Sequence, residues 1–180
     1  MTGTPWERLE KRAILENPYY TMSHDRYRRP DGEAADYYYV DIAGSTLIIP
    51  VHADGRLTLG RQYRYLFRRS GLELPKGGLP RGVDPLENAR KELLEEAGLT
   101  AEKWEKIGEF APYVGVSNEC CHVFVAQNLR EVGAQLEPTE EIEVVTATLE
   151  ELQASIASGE CWDGMTMAAL QLYTQWLARA

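Results

Sequence analysis

Between residues 84 and 99 the apolar positions Leu86, Ala89, Leu93 and Ala97 recur at three- and four-residue intervals, one stripe of an α-helix turning about 100° per residue. The end signals agree. Asp84 suits the N-cap, Pro85 the first helical position and Glu87 the third, while Gly98 offers the left-handed residue that ends a helix, so residues 85–97 are predicted helical. Elsewhere the pattern is that of strands. We expect one strand over Thr21–Arg28, a turn at Pro30, Asp31 and Gly32, and a second over 35–42. An apolar run over 45–51, a turn at Asp54 and Gly55, and a return over 56–64 read as a hairpin. Further strands are predicted over 106–110, 120–126 and 142–147, and helices near 149–157 and 165–178. Mixed strands with helices packed on the sheet faces give an α/β sandwich, with residues 1–43 as an N-terminal β extension and 44–180 as the main domain.

The polar face of the first helix is the unusual part. Glu92, Glu95 and Glu96 share one patch well over 90° from the apolar stripe and are expected to face no core. Like charges at this spacing cost about 0.2–0.5 kcal/mol per pair, and anions near a helix C-terminus also oppose the helix dipole. A hard divalent cation reverses that balance: Mg²⁺ takes carboxylates, waters and the phosphate oxygens of a substrate. A merely solvated acidic face is the competing reading, and spacing has to decide between them.

The segment GGLPRGVDPLENARKELLEEAGL, residues 77–99, resembles the Nudix box, G-x5-E-x7-R-E-U-x-E-E-x-G-U with U aliphatic. Gly77, Glu92, Leu93, Glu95, Glu96, Gly98 and Leu99 match in register; Val83 stands for the first Glu and Lys91 for the Arg. Lysine keeps the positive charge but loses the planar fork that can hold two carboxylates. The resemblance implies a Nudix α/β/α sandwich with a mixed sheet, and a hydrolase of phosphorus anhydrides whose metal, Mg²⁺ or alternatively Mn²⁺, is held by Glu92, Glu95, Glu96 and the main-chain carbonyl of Lys76.

Upstream, Arg61-Gln62-Tyr63-Arg64 followed by Glu73-Leu74-Pro75-Lys76-Gly77 looks like the ADP-ribose and nucleotide-sugar pyrophosphatase branch, whose members carry a similar N-terminal extension. That branch implies substrate contacts at Arg64 and Glu73 and, from the extension of a partner subunit in a homodimer, at Tyr27 or Arg28. Arg64 offers a bidentate cation for a diphosphate, and Tyr27, Tyr63 or Tyr113 offer rings for a base or sugar. Tyr63, Tyr65 and Phe67 also alternate as ordinary strand residues do. Gly115 and Glu119 match a loop of ADP-ribose hydrolases, with Val114 where that loop has proline. A general base is expected from the acidic run 137–143, at Glu140 or Glu141, with Glu95 as the alternative. The implied substrate is a nucleoside diphosphate linked to another group, ADP-ribose or a nucleotide sugar. The alternatives are NADH, diadenosine polyphosphates, or a nucleotide-binding regulator with weakened turnover.

Charge and cysteine content narrow the partners. A net charge of −9 argues against broad nucleic-acid or anionic-membrane binding, while a metal can supply the charge that a small phosphate ligand needs. No apolar run approaches the length of a membrane helix, and the charged N-terminus lacks the apolar core of a signal peptide. Three cysteines, two of them adjacent, suggest buried free thiols rather than a disulfide framework or a zinc site. The chain reads as cytoplasmic. His24, His52 and His122 have no ligand spacing and read as structural or surface groups.

Overall fold

The computed structural model describes residues 6–133 and 141–179. It divides into two compact units, Met1–Gly44 with Ala111–Cys120, and Ser45–Phe110 with Cys121–Ala180.

In the first unit β1 (Glu7–Glu16), β2 (Thr21–Arg28) and β3 (Ala34–Asp41) form an antiparallel sheet in that order. β2 and β3 stand where the alternation placed them, but β1 was not foreseen. Its sequence, ERLEKRAILE, mixes charged and apolar residues without a period of two, and every one of its residues is exposed. The segment 111–120 belongs to this sheet rather than to the main domain. Ser117 bridges to Val40 in parallel, and the Asn118 side chain accepts from the Ile42 N–H (2.9 Å) and donates to Asp41 (2.9 Å).

The second unit holds two sheets and three helices. β4 (Ser45–Pro50), β7 (Lys76–Gly78), β8 (Leu99–Phe110) and β9 (Cys121–Glu131) make a mixed sheet in the order β7-β4-β9-β8, with β4 and β9 parallel. β5 (Leu57–Arg64), β6 (Arg69–Glu73) and β10 (Ile142–Ala147) make an antiparallel sheet in the order β10-β5-β6. Successive strand residues point to opposite faces, so the apolar run of β4 feeds two cores. Leu47 and Ile49 join Val123, Val125, Leu57, Leu59, Leu72 and Leu74 in one, closed by Leu152 of α2 (Leu149–Ser158) and by Ala169, Leu170 and Tyr173 of α3 (Gly164–Leu177). Ile48, Phe124 and Ala126 face the other way, against Ala89, Leu93 and Ala97 of α1 (Pro85–Ala97). The fold is thus the expected mixed α/β arrangement, with α1 on one face of the sheet and α3 on the other.

Local signals fixed α1 well. Asp84 accepts from the N–H groups of Leu86 (2.9 Å) and Glu87 (3.1 Å), and Gly98 ends the helix at φ 65°. Several strands differ from expectation. β8 starts at Leu99, directly after that glycine, and is rich in charged residues on exposed positions; β9 continues past its apolar run to Arg130 and Glu131, both exposed. β6 and β7 are too short to show a period. Tyr63 alone of the aromatic triplet lies in a strand, since Tyr65 and Phe67 sit in the turn joining β5 to β6. The three cysteines are free, with Cys121 and Cys161 buried and Cys120 half-buried just before β9. No helix among the described residues is long and apolar enough to cross a membrane.

Candidate active site

The site is built where α1 runs against β7. Thr46 of β4 pairs with Gly77, and its hydroxyl accepts from the buried Asn88 amide (2.8 Å), which pins the helix to the sheet at that register. Glu92, one turn further on, lies directly over Gly77. A Cβ at position 77 would run into the Glu92 carboxylate, so the absent side chain of the glycine is the space that the glutamate occupies. Glu92 is consequently buried, at 9% exposure, and the expectation that the whole acidic face avoids the protein is corrected: its innermost member packs against a strand. Glu95 is half-buried. Glu96 accepts a hydrogen bond from the Lys76 N–H (2.9 Å).

Lys91 answers the charge of this group. Its ammonium lies 2.6 Å from Glu95 and 3.5 Å from Glu92, so two carboxylates already converge on one cation, and the Glu95 bond holds the lysine pKa above its ordinary value. Glu92 and Glu95 meet on this one ammonium and Glu96 lies on the Lys76 N–H, and carboxylate oxygens are the hard donors that Mg²⁺ or Mn²⁺ prefers. The residues present therefore fit such an ion. Val83, the other departure from the box, is exposed at 39%, so a glutamate there would meet solvent and not the apolar pocket that would make its charge costly.

A second ion cluster adjoins the first through Lys76. Glu73, buried at 5%, takes the Arg64 guanidinium on two oxygens (Nε at 2.8 Å, with a shorter contact from the other nitrogen) and the Lys76 ammonium as well. Burial alone would raise the Glu73 pKa, but the Arg64 hydrogen bonds and the Lys76 charge outweigh it and hold the carboxyl below its usual range. Lys76 Nζ also reaches Asp163 Oδ2 at 3.1 Å. Sequence reading valued Lys76 for its carbonyl alone; its side chain turns out to be an anchor, half-hidden between two acids far apart in the chain.

Of the residues singled out from sequence, Arg64, Glu73, Lys76 and Glu96 line one narrow cleft, of about 10 Å³, with Gln62, Pro75 and Ile142, and Glu92 and Glu95 lie nearby on α1. Glu141 is exposed and immediately precedes Ile142, which pairs with Gln62 at the end of β5; Glu140 lies outside the described residues. Tyr27, Arg28, Tyr113 and Glu119 all belong to the other compact unit. There Tyr27 helps line a cleft of about 300 Å³ with Trp6, Tyr37, Tyr39 and Asp25, its ring 5.4 Å from that of Trp6. Arg28 pairs with Glu7 at 3.3 Å, and Tyr113 is exposed in the loop after β8. Sequence reading missed Asp163 because its acid sits beyond the box, in the cap of α3.

Comparison with known proteins places this geometry in a family. The NUDIX domain model matches residues 42–162, and a model described as a nucleoside diphosphate sugar hydrolase N-terminal domain matches residues 6–40. The chain belongs to the Nudix family. Among curated relatives it is 34% identical over 165 residues to an ADP-ribose pyrophosphatase of Bacillus subtilis (strain 168), covering 91% of this chain and 89% of that protein. It is 30% identical over the same length to a methanol dehydrogenase activator of Bacillus methanolicus, with the same shares covered. A Mycobacterium tuberculosis ADP-ribose pyrophosphatase is 30% identical over 134 residues, 74% of this chain and 65% of that protein. The crystal structure of an ADP compounds hydrolase superposes with a TM-score of 0.85 over 99% of this chain and 97% of the other at 19% identity, which bears on the fold.

The packing of Glu92 on Gly77 generates a specific expectation. In Gly77→Ala the flexible carboxylate end yields before the backbone does, so the protein folds with Glu92 displaced. We expect kcat/KM to fall about 10²-fold or more, as for loss of one metal ligand, with thermal stability changed little. Activity close to wild type would mean that the position of Glu92 does not matter.

Proposed function

We propose that this chain is a Mg²⁺-dependent hydrolase of a nucleoside diphosphate linked to a further group, with ADP-ribose as its substrate and AMP and ribose 5-phosphate as products. The observation that carries the reading is the juxtaposition of two clusters: carboxylates suited to a hard cation on α1, and the Arg64–Glu73 pair lining the adjoining cleft. The family and the two relatives named ADP-ribose pyrophosphatase support the choice of substrate.

Glu92, Glu95 and Glu96, with the Lys76 carbonyl, are the residues that would hold the ion. When bound, it neutralises the diphosphate and lowers the pKa of the attacking water. Glu73 accepts from two nitrogens along one edge of the Arg64 guanidinium and so fixes its direction, leaving the third nitrogen to meet a phosphate oxygen. Water attacks one phosphorus, the bridging P–O bond breaks, and the water proton passes to Glu140 or Glu141 of the segment before β10. The aromatic cleft of Trp6, Tyr27, Tyr37 and Tyr39 suits a base or sugar ring, since one aromatic pair is worth about 0.5–1.5 kcal/mol beyond burial.

The active form in this reading is a homodimer paired through the N-terminal sheet, working in the cytoplasm. β1 is an edge strand of ten exposed residues, and Trp6, Leu9, Ile14, Leu15 and Met22 add uncovered apolar surface to the same sheet. Such an edge invites pairing with another chain. Tyr27 and Arg28 would then serve the partner's substrate. Free thiols at Cys120, Cys121 and Cys161 suit a reducing compartment.

A substrate panel tests the chemistry. With Mg²⁺, kcat/KM for ADP-ribose should exceed that for nucleotide sugars, NADH and diadenosine polyphosphates by at least about 10-fold, with AMP as the nucleotide product. Equal rates on all, or none on any, would contradict the assignment. Light scattering at micromolar concentration tests the assembly, and we expect twice the chain mass. A monomer with full activity would remove the shared-pocket part of the proposal.

A further inference from the structure

Lys76 joins the metal-binding helix to a residue that no part of the box contains. Its N–H bonds Glu96, while its side chain, only 12% exposed, runs to Glu73 and Asp163. Asp163 is the N-cap of α3. It accepts from the Thr166 N–H (2.9 Å) and hydroxyl (2.7 Å), and the oxygen of that same hydroxyl accepts from the Leu74 N–H at 3.0 Å. The Pro75 carbonyl, between them, accepts from Ile48 of β4 at 2.9 Å. The short segment Leu74-Pro75-Lys76 is therefore tied at successive residues, two of the ties leading to the cap of α3.

Capping alone does not explain the carboxylate. Asparagine and serine cap helices about as well as aspartate, and neither brings a charge that must be desolvated. Nor does Lys76 lack an anion, since Glu73 already pairs with it. A second, half-buried acid on the same ammonium is weak as a source of stability, because desolvation offsets much of the attraction. What it adds is direction: the Lys76 side chain is held from two sides, on the residue whose N–H bonds Glu96.

We propose that Asp163 is a positioning residue for the metal centre, acting through Lys76 on the Lys76 backbone and Glu96. The inference rests on the reading above that these groups hold a divalent cation. Replacing Asp163 with Asn keeps the oxygen that caps Thr166 and removes the charge from Lys76. Lys76 then faces one carboxylate, Glu73, in place of two, its side chain is held less firmly, and the ligand set loosens without loss of any ligand. Outer partners of metal ligands commonly change affinity by about 10–100-fold.

The test is Mn²⁺ binding to the full-length protein, read from the free-ion EPR signal, alongside thermal melts. Asp163→Asn should weaken Mn²⁺ about 10-fold or more while the melting temperature stays close to wild type. Lys76→Met should weaken it to a similar degree, and the double variant no further than either single one, as for two residues acting in series. If Asp163→Asn does not fold, Asp163→Ser keeps a capping oxygen and takes its place. Glu96→Gln is the control for the underlying reading. Weakened binding in Glu96→Gln with unchanged binding in Asp163→Asn would overturn the positioning role and leave the metal site standing; unchanged binding in Glu96→Gln would overturn both. Singles whose effects multiply in the double variant would show that Asp163 does not act through Lys76.

Discussion

Three glutamates crowded onto one helical turn repel one another, and the site exists because the surrounding chain holds them there. Each like-charged pair costs about 0.2–0.5 kcal/mol on a solvated helix, and burial of Glu92 adds a desolvation cost of larger size. No helix keeps such a group by propensity. Here the apolar stripe of Ala89, Leu93 and Ala97 anchors α1 on the sheet, Asn88 fixes its register on Thr46, and Gly77 leaves the room into which Glu92 points. Lys91 and the Lys76 N–H supply local positive potential at Glu95 and Glu96. In the function proposed above, this arrangement is what receives a further cation.

The same constraint explains the second cluster. In the function proposed above Arg64 meets a phosphate in a fixed direction, and a long, partly exposed side chain has many rotamers to lose. Glu73 removes that freedom by taking two of the guanidinium nitrogens, and Lys76 compensates the burial of Glu73. Through Lys76, at the start of β7, the Arg64–Glu73 pair and the acidic helix form one electrostatic unit. Catalysis by preorganised charge requires this kind of rigidity, since the groups must not reorganise when the reaction proceeds.

Sequence carried the parts of this that are local. The cap residues Asp84 and Gly98, the stripe of α1 and the box spacing all lie within twenty-three residues, and each signal is a matter of one turn or one period. The hidden parts were contacts at long range. Burial of Glu92 depends on what strand passes beneath it, and the side-chain role of Lys76 depends on an aspartate in the cap of α3, whose own local signal was only that of a helix start. β1 escaped notice for another reason. A strand exposed on all its residues has no apolar face to impose alternation, so the period that reveals a strand is missing. The loop 111–120 likewise gave no sign that its backbone would pair with β3.

The central claim is that Glu92, Glu96 and the Lys76 carbonyl are parts of one binding site for a divalent ion. Crystals soaked in Mn²⁺ and measured at the manganese absorption edge test it most directly. The account predicts an anomalous peak within coordination distance of both carboxylates and of the Lys76 carbonyl oxygen. A peak elsewhere, or none at millimolar Mn²⁺ with Lys91 still bridging Glu92 and Glu95, would contradict it.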